Sequence, residues 1–441
     1  MDILPPITDF PPQERTAVFL RKLQHCEQTF DFSNPTCRLP SKEIKQRYLI
    51  DIATYISCQR DAALNQNTYK PFLRMISANI MRPLPIGTSN EPFYEPDDDE
   101  PFLDPAWPHL QIVYELLRRF LISADTDSKH ARACITERFV IALVELFNSE
   151  DPRERECLKT ILHRIYGKMM ALRASIRQAI TNVFQRVVYE HTRFNGIAEL
   201  LEILGSIING FAVPLKAEHK QLLRKALLPL HMPHCMPQYH VQLSFCITQF
   251  AEKDGSLSAE VVQFVLKHWP TTHTRKQIML LNEIEEIVEV TRGDELGDVM
   301  SALFRRIARC IESAHFQVAE RALLYWNNEY VVSVMMQFRD EVMSAVFGSL
   351  CRNMRSHWNA NVLSLSCNVQ KLLCEMDAGL FERCRLQYEQ ERAQQPALER
   401  QRDVRWRTVL RMAEARAGKA SKSKHSSAIV DNKSPIESDW C

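Results

Sequence analysis

Apolar residues return every three to four positions, almost without interruption, from about residue 12 to residue 415. Ile112, Leu116, Phe120 and Leu121 form one such stripe. Phe139, Leu143, Leu146 and Phe147 form another, and Leu200, Ile203, Leu204, Ile207 and Ile208 a third. This spacing matches the helical turn, so each stretch predicts an amphipathic helix with one buried face. Glycine usage points the same way. Only 11 glycines occur in 441 residues, whereas tight hairpins and phosphate-cradling loops need glycine where the backbone turns to positive φ. The patterns G-x-G-x-x-G, G-x-x-x-x-G-K-[ST] and G-x-S-x-G are missing, which removes sequence support for nucleotide-binding and hydrolase folds. The expected fold class is all-α.

Helix boundaries are expected at Ser41, at Ser149-Glu150-Asp151-Pro152 and at Asp254-Gly255-Ser256, where capping and turn residues interrupt the stripes. Short turns between helices imply antiparallel pairs, and the pairs recur about every 40 residues, the period of HEAT- or armadillo-like repeats. A superhelical solenoid follows, because each amphipathic pair needs a neighbour to cover its apolar face. Two compact helical domains are the alternative, but no Gly/Ser-rich linker divides the chain. Residues 1–11 are expected as an N-terminal tail, 12–415 as the array and 416–441 as a disordered tail. Residues 83–105 carry six prolines and seven acids with no Lys or Arg, which marks an insertion loop between repeats.

The 55 Lys and Arg residues nearly balance 54 Asp and Glu, giving a formal charge of +1. No nucleic-acid partner is expected from such a balance. With 45% hydrophobic and 25% charged residues, wholesale disorder is excluded. The 13 cysteines include no C-x-x-C pair, and the first ten residues lack the features of a secretory leader. Free thiols in a reducing compartment are expected. The longest stretch without Asp, Glu, Lys or Arg, Ala226–Ala251, contains Pro229, Pro233 and Pro237, so no membrane insertion is expected.

Arg153 to Arg177 is the densest basic region of the expected fold, with Arg153, Arg155, Lys159, His163, Arg164, Lys168, Arg173 and Arg177 against Glu154 and Glu156. On a helix His163 and Tyr166 share a face, while Arg164 projects about a quarter-turn aside. An imidazole, a phenol ring and a guanidinium can line an apolar slot with a cationic rim, suited to an extended peptide with an aliphatic anchor and a carboxylate. The same composition also describes a solvated charged face. Ile203 and Ile207 lie four apart and face the same way, which fits core packing as well as ligand contact. Lys216 and His219, three apart, can present positive charge. His231, His234, Cys235 and His240 have ligand-type side chains, but their spacing matches no standard zinc pattern, and Asp97–Glu100 lacks the spacing of a calcium loop. No metal or cofactor is expected, and no nucleophile–base pair or paired carboxylates can be assigned from spacing. Trp107, Trp269, Trp326 and Trp358 sit in apolar helical patterns and are expected to pack in the core.

Several long strings closely resemble the B-prime (B-fifty-six type) regulatory subunits of protein phosphatase type 2A. They are SEDPRERECL (149–158), LHRIYGKM (162–169), NGIAELLEILGSIINGFAV (195–213), FQVAERALLYWNNEYV (316–331) and PAWPHLQI (105–112). The resemblance spans about residues 12–415. It implies about eight HEAT-like repeats and assembly with a scaffold subunit and a metal-dependent Ser/Thr phosphatase catalytic subunit. On this reading the chain is not an enzyme. It recruits substrate or adaptor proteins through short Leu-x-x-Ile-x-Glu motifs, in cytoplasm and nucleus. The family's motif groove maps onto His163, Arg164, Tyr166, Arg173, Arg177, Ile203, Ile207, Lys216 and His219. The resemblance gives His163, Tyr166, Ile203 and Ile207 to the motif's isoleucine, Lys216 and His219 to its glutamate, and the three arginines to acidic or phosphorylated flanks. Asp97, Asp98, Asp99, Glu100 and Pro101 resemble the loop that faces the catalytic subunit. The turn His191–Phe194, the stretch HMPHCMPQ and the C-terminal tail depart from the family pattern. A peptide-binding adaptor or transport-type helical solenoid is the alternative.

Overall fold

The computed structural model describes residues 4–34, 36–58, 64–84, 102–122, 131 and 133–427, and among them every regular element is a helix or helical turn. The chain divides into two units, one of residues 1–303 with 328–334 and one of residues 304–327 with 335–441.

In the first unit, successive repeats stack in register. Helix Pro152–Lys168 packs against Trp107–Ile122 on one side and Ile197–Asn209 on the other, and the stack continues through His240–Lys253 to Thr274–Val290. Side chains 40 to 45 residues apart meet repeatedly: Arg155 with Glu199, Lys159 with Glu202, His163 with Ser206, Glu202 with Gln242, and Cys246 with the Leu201 carbonyl. These contacts give the weak sequence period a physical form. Leu200, Leu204 and Ile208 are fully buried between neighbours, each contributing about 1.5–3 kcal/mol by removal from water. Gly205 lies at the middle of this stack. A Cβ there would come within 2.8 Å of the Phe245 ring, so close packing explains a residue that costs a helix interior about 1 kcal/mol.

Residues 4–11 pack onto the first helices. Ile7 is fully buried, the Leu4 amide donates to the Tyr48 hydroxyl at 2.9 Å, and Lys22 donates to the Pro5 carbonyl and to Asp51. His231 and His240 also meet, but around a carboxylate. Their Nε2 atoms lie 2.9 and 2.8 Å from the two oxygens of Glu283, which is fully buried, while His234 lies beside His273. Burial alone would raise the Glu283 carboxyl, yet the two imidazoles pull it down to about 2.

In the second unit, helices Phe316–Leu323 and Arg339–Ser356 pack on Ala360–Met376, and the long helix Ala378–Ser427 docks on Arg339–Ser356 and Ala360–Met376 with its Leu380 and Cys384 buried. The Phe347 and Phe381 rings meet edge-on at 5.2 Å. The final helix continues to Ser427, past residue 415 where the array was expected to end. Trp269 and Trp326 are buried as expected, whereas Trp358 is 68% exposed. Its ring lies edge-on to Phe316 and its Nε1 donates to the Ala314 carbonyl, so it braces a turn at the surface. Among the described residues no helix is long and apolar enough to cross a membrane, and no group of three or more His, Cys, Asp or Glu residues is arranged to hold a metal ion.

Candidate functional site

The site grows from helix Pro152–Lys168. Asp151 caps its start by accepting from the Arg153 amide at 2.9 Å, and proline occupies the first helical position, where no donor is needed. At the far end, His163 and Tyr166 face outward one turn apart. Arg173, which begins helix Arg173–Tyr189, folds back over this end. Its guanidinium donates to the carbonyls of Tyr166 and Gly167 at 3.0 and 3.3 Å, satisfying orphan acceptors of the last turn. It also sits 5.1 Å from the centre of the Tyr166 ring. Arg177, one turn later, donates to the Tyr166 hydroxyl at 3.1 Å. Two arginines thus hold one ring in a fixed plane.

Helix Ile197–Asn209 supplies the facing wall. Gly196 precedes it because a Cβ at that position would strike the Phe147 backbone. The Ser206 hydroxyl lies 3.0 Å from His163 Nε2, joining the two helices at the floor. Beyond Gly210 the chain turns through Phe211, Pro214 and Lys216 into the short helix Ala217–Leu222. The Phe211 and His219 rings stack face to face, 3.7 Å apart and 2° from parallel. His219 is 8% exposed, with its Nδ1 buried and without a hydrogen-bond partner, while its Nε2 lies 3.4 Å from Glu218. Burial holds its pKa below the usual histidine range. Glu218 opposes that shift, and the charges of Arg177 and Lys216 add to it.

These walls enclose one cleft of about 540 Å³. Of the residues expected to share a groove, His163, Tyr166, Arg173, Arg177, Ile207, Lys216 and His219 line it together. Ile203 does not; it is buried at 2% exposure, as Ile207 is at 5%, but it lies one turn further from the helix end that borders the cleft. Arg164 is exposed outside the lining, since its quarter-turn offset carries it off the His163–Tyr166 face. The lining also includes Met170, Ser206, Phe211 and Glu218, which sequence reasoning did not single out. Met170 lies beyond the end of helix Pro152–Lys168, in the 3-10 turn Met170–Leu172, so helical spacing from His163 does not place it. Phe211 and Glu218 come from a turn whose path depends on tertiary packing. Chemically the cleft offers apolar surface from Ile207, Met170 and Phe211, two imidazoles and a cationic rim interrupted by Glu218, suited to an extended segment bearing an aliphatic side chain and an anion.

Asp97, Asp98, Asp99, Glu100 and Pro101 lie outside the described residues. Residues on either side of that segment are anchored on the groove helix itself. Arg82 bridges Asp104 at 2.7 Å and the fully buried Glu154 at 2.7 Å. The Asp104 amide donates to Asp151, and the Arg153 guanidinium covers the Trp107 ring at 4.7 Å.

The sequence profile described as "Protein phosphatase 2A regulatory B subunit (B56 family)" matches residues 4–413. Among the 57 kDa regulatory subunits of serine/threonine protein phosphatase 2A in Arabidopsis thaliana, the B-prime beta isoform is 46% identical over 426 residues, covering 96% of this chain and 85% of that one. The human 56 kDa regulatory subunit, delta isoform, is 47% identical over 414 residues, covering 93% of this chain and 68% of that one. The mouse 56 kDa alpha isoform is 46% identical over 406 residues, covering 92% and 83%.

Proposed function

Since this chain belongs to the B56 family of protein phosphatase 2A regulatory subunits, we propose that it selects phosphoprotein substrates by holding a short Leu-x-x-Ile-x-Glu segment in the cleft between helices Pro152–Lys168 and Ile197–Asn209. Its role is regulatory; the hydrolysis belongs to a catalytic subunit, with which it assembles together with a scaffold subunit. Cytoplasm and nucleus are the proposed locations.

The convergence of His163, Tyr166, Ile207, Lys216 and His219 on one cleft is the observation that supports this reading. The motif's isoleucine rests against Tyr166, Ile207 and His163, and its glutamate meets Lys216 and the Nε2 edge of His219. Arg177 is shared between Tyr166 and Glu218, which lies 3.6 Å away, so an acidic flank competes with Glu218 for it. Arg173, committed to two carbonyls, acts mainly by fixing Tyr166. A single short peptide must lose chain entropy on binding, so affinity is modest, about micromolar or roughly −8 kcal/mol. Tethering then supplies the gain, because a bound segment holds nearby phosphosites at an effective concentration of about millimolar beside the catalytic subunit. The acidic segment around Asp97–Pro101 is proposed to face that subunit.

Titration calorimetry tests the reading. A peptide carrying the motif is expected to bind one-to-one, weakening with salt, and to lose binding when its isoleucine and glutamate become alanine. Equal heats for both peptides reject it.

A further inference from the structure

The glutamate-facing wall, residues 211–219, is an irregular turn, 211–216, followed by the start of helix Ala217–Leu222, which runs on into a π-helical turn at Leu223–Leu227; the turn itself has no regular hydrogen-bonded structure to fix its path. Its support comes from the next helix pair. Lys253, the last residue of helix His240–Lys253, donates to the Asn209 carbonyl at 2.9 Å and to the Phe211 carbonyl at 3.1 Å. It therefore closes the end of helix Ile197–Asn209 and fixes where the wall begins. The adjacent Asp254 pairs with Lys220 at 2.6 Å and so holds the helix on which His219 sits. Between these two anchors lies the Phe211 ring, with Phe250 of the supporting helix 6.3 Å away on one side and the His219 imidazole stacked on the other.

The arrangement is a bracket with two attachment points and one ring between them. We infer that Lys253 and Asp254 are positioning residues, which act through Phe211 and Lys220 to set the orientation of His219 and Lys216 towards the motif's glutamate. This rests on the peptide reading above for its ligand, though not for its geometry. Neither side chain lines the cleft. Loosening the bracket should degrade recognition of the anion while leaving the apolar end, carried by Tyr166 and Ile207 on other helices, intact. Affinity for glutamate is thereby set by a repeat that never touches it.

The experiment compares two motif peptides, one ending in glutamate and one with glutamine there, on the full chain and its Lys253→Met, Lys253→Arg and Asp254→Asn variants. Lys253→Met is expected to weaken the glutamate peptide about tenfold and the glutamine peptide less than about twofold, with Lys253→Arg restoring most of the loss. Equal weakening of both peptides, or no weakening, overturns the inference. A second measurement needs no peptide: titration of the His219 imidazole followed by NMR. Asp254→Asn is expected to move its pKa up, towards the ordinary histidine value, as the ring leaves its buried stack, whereas an upward shift in Lys253→Met would follow from loss of its charge alone, so Asp254→Asn is the deciding variant. The charged groups around it are Glu218, Arg177, Lys216 and, across the bracket, Lys220, Lys253 and Asp254. Loss of the Asp254 charge alone would move the pKa down, so a downward shift in Asp254→Asn also overturns the inference. If the unaltered chain binds neither peptide, the motif reading fails, and the histidine titration still decides whether the bracket positions the wall.

Discussion

The two ends of helix Pro152–Lys168 face opposite problems. Near its start, Glu154 is fully buried and saturated. It accepts from both terminal nitrogens of Arg82, from the Tyr114 hydroxyl at 2.6 Å and from the Ser149 hydroxyl. The Tyr114 hydroxyl is driven well above its usual range, first by burial and then by the Glu154 charge beside it. Near its end, His163 and Tyr166 stand at a cleft, touched by partners on one side and open on the other. One end commits its polar groups to each other and becomes rigid; the other keeps hydrogen-bonding capacity for a ligand. A binding surface of this kind needs both, because groups with open valence are only selective if the element beneath them does not move.

That contrast breaks cleanly under mutation. The largest effect belongs to the buried end. Glu154→Ala leaves the Arg82 charge half-buried without its main partner and is expected to cost about 3–5 kcal/mol of stability, measured as the shift in the denaturation midpoint. At the open end, Tyr166→Ala is expected to change stability far less and to weaken motif-peptide binding by about 2 kcal/mol or more, as aromatic anchors at the centre of an interface do. A Tyr166→Ala variant that melts as early as Glu154→Ala would erase the distinction.

A smaller, graded effect comes from pH. His219 is neutral at pH 7, its pKa lying below the usual histidine range. A bound carboxylate favours the charged ring, so binding takes up a proton and affinity should rise as pH falls through about 6.5 towards 5, before the peptide's glutamate itself protonates near about 4.3. The sign for stability is the reverse. A histidine with a depressed folded pKa makes the fold less stable as pH drops below the unfolded value. His219→Gln should flatten the binding profile across that window.

Much of the fold was legible because helical periodicity is a local property, and the stack at Leu200, Leu204 and Ile208 needs nothing more. The cleft was legible in part. His163, Tyr166 and Arg177 lie on two successive helices, so turn spacing places them nearly unaided. Ile203 and Ile207 look equivalent in sequence and are both buried, but only Ile207 lies in the turn that borders the cleft. Helix Ile197–Asn209 is covered on both sides by neighbouring repeats, and only its last turn reaches the cleft. Which turn is left beside a cleft depends on what packs over the face, which periodicity does not carry. Phe211 and Glu218 were invisible for a related reason, since their segment is held from another helix pair, by Lys253 on the Phe211 carbonyl and Asp254 on Lys220. His231 and His240 resembled metal ligands by spacing, yet their common partner, Glu283, stands more than 40 residues away on helix Thr274–Val290. Trp358 carries the apolar signature of a core residue and instead holds a surface turn.

The central claim is that a motif peptide lies in the cleft with its isoleucine against Tyr166 and Ile207. Replacing that isoleucine with a photo-crosslinking aliphatic residue and mapping the adducts by mass spectrometry tests it directly. Adducts within residues 163–170 and 206–214 are the predicted result. Adducts confined to another face of the chain would contradict the account.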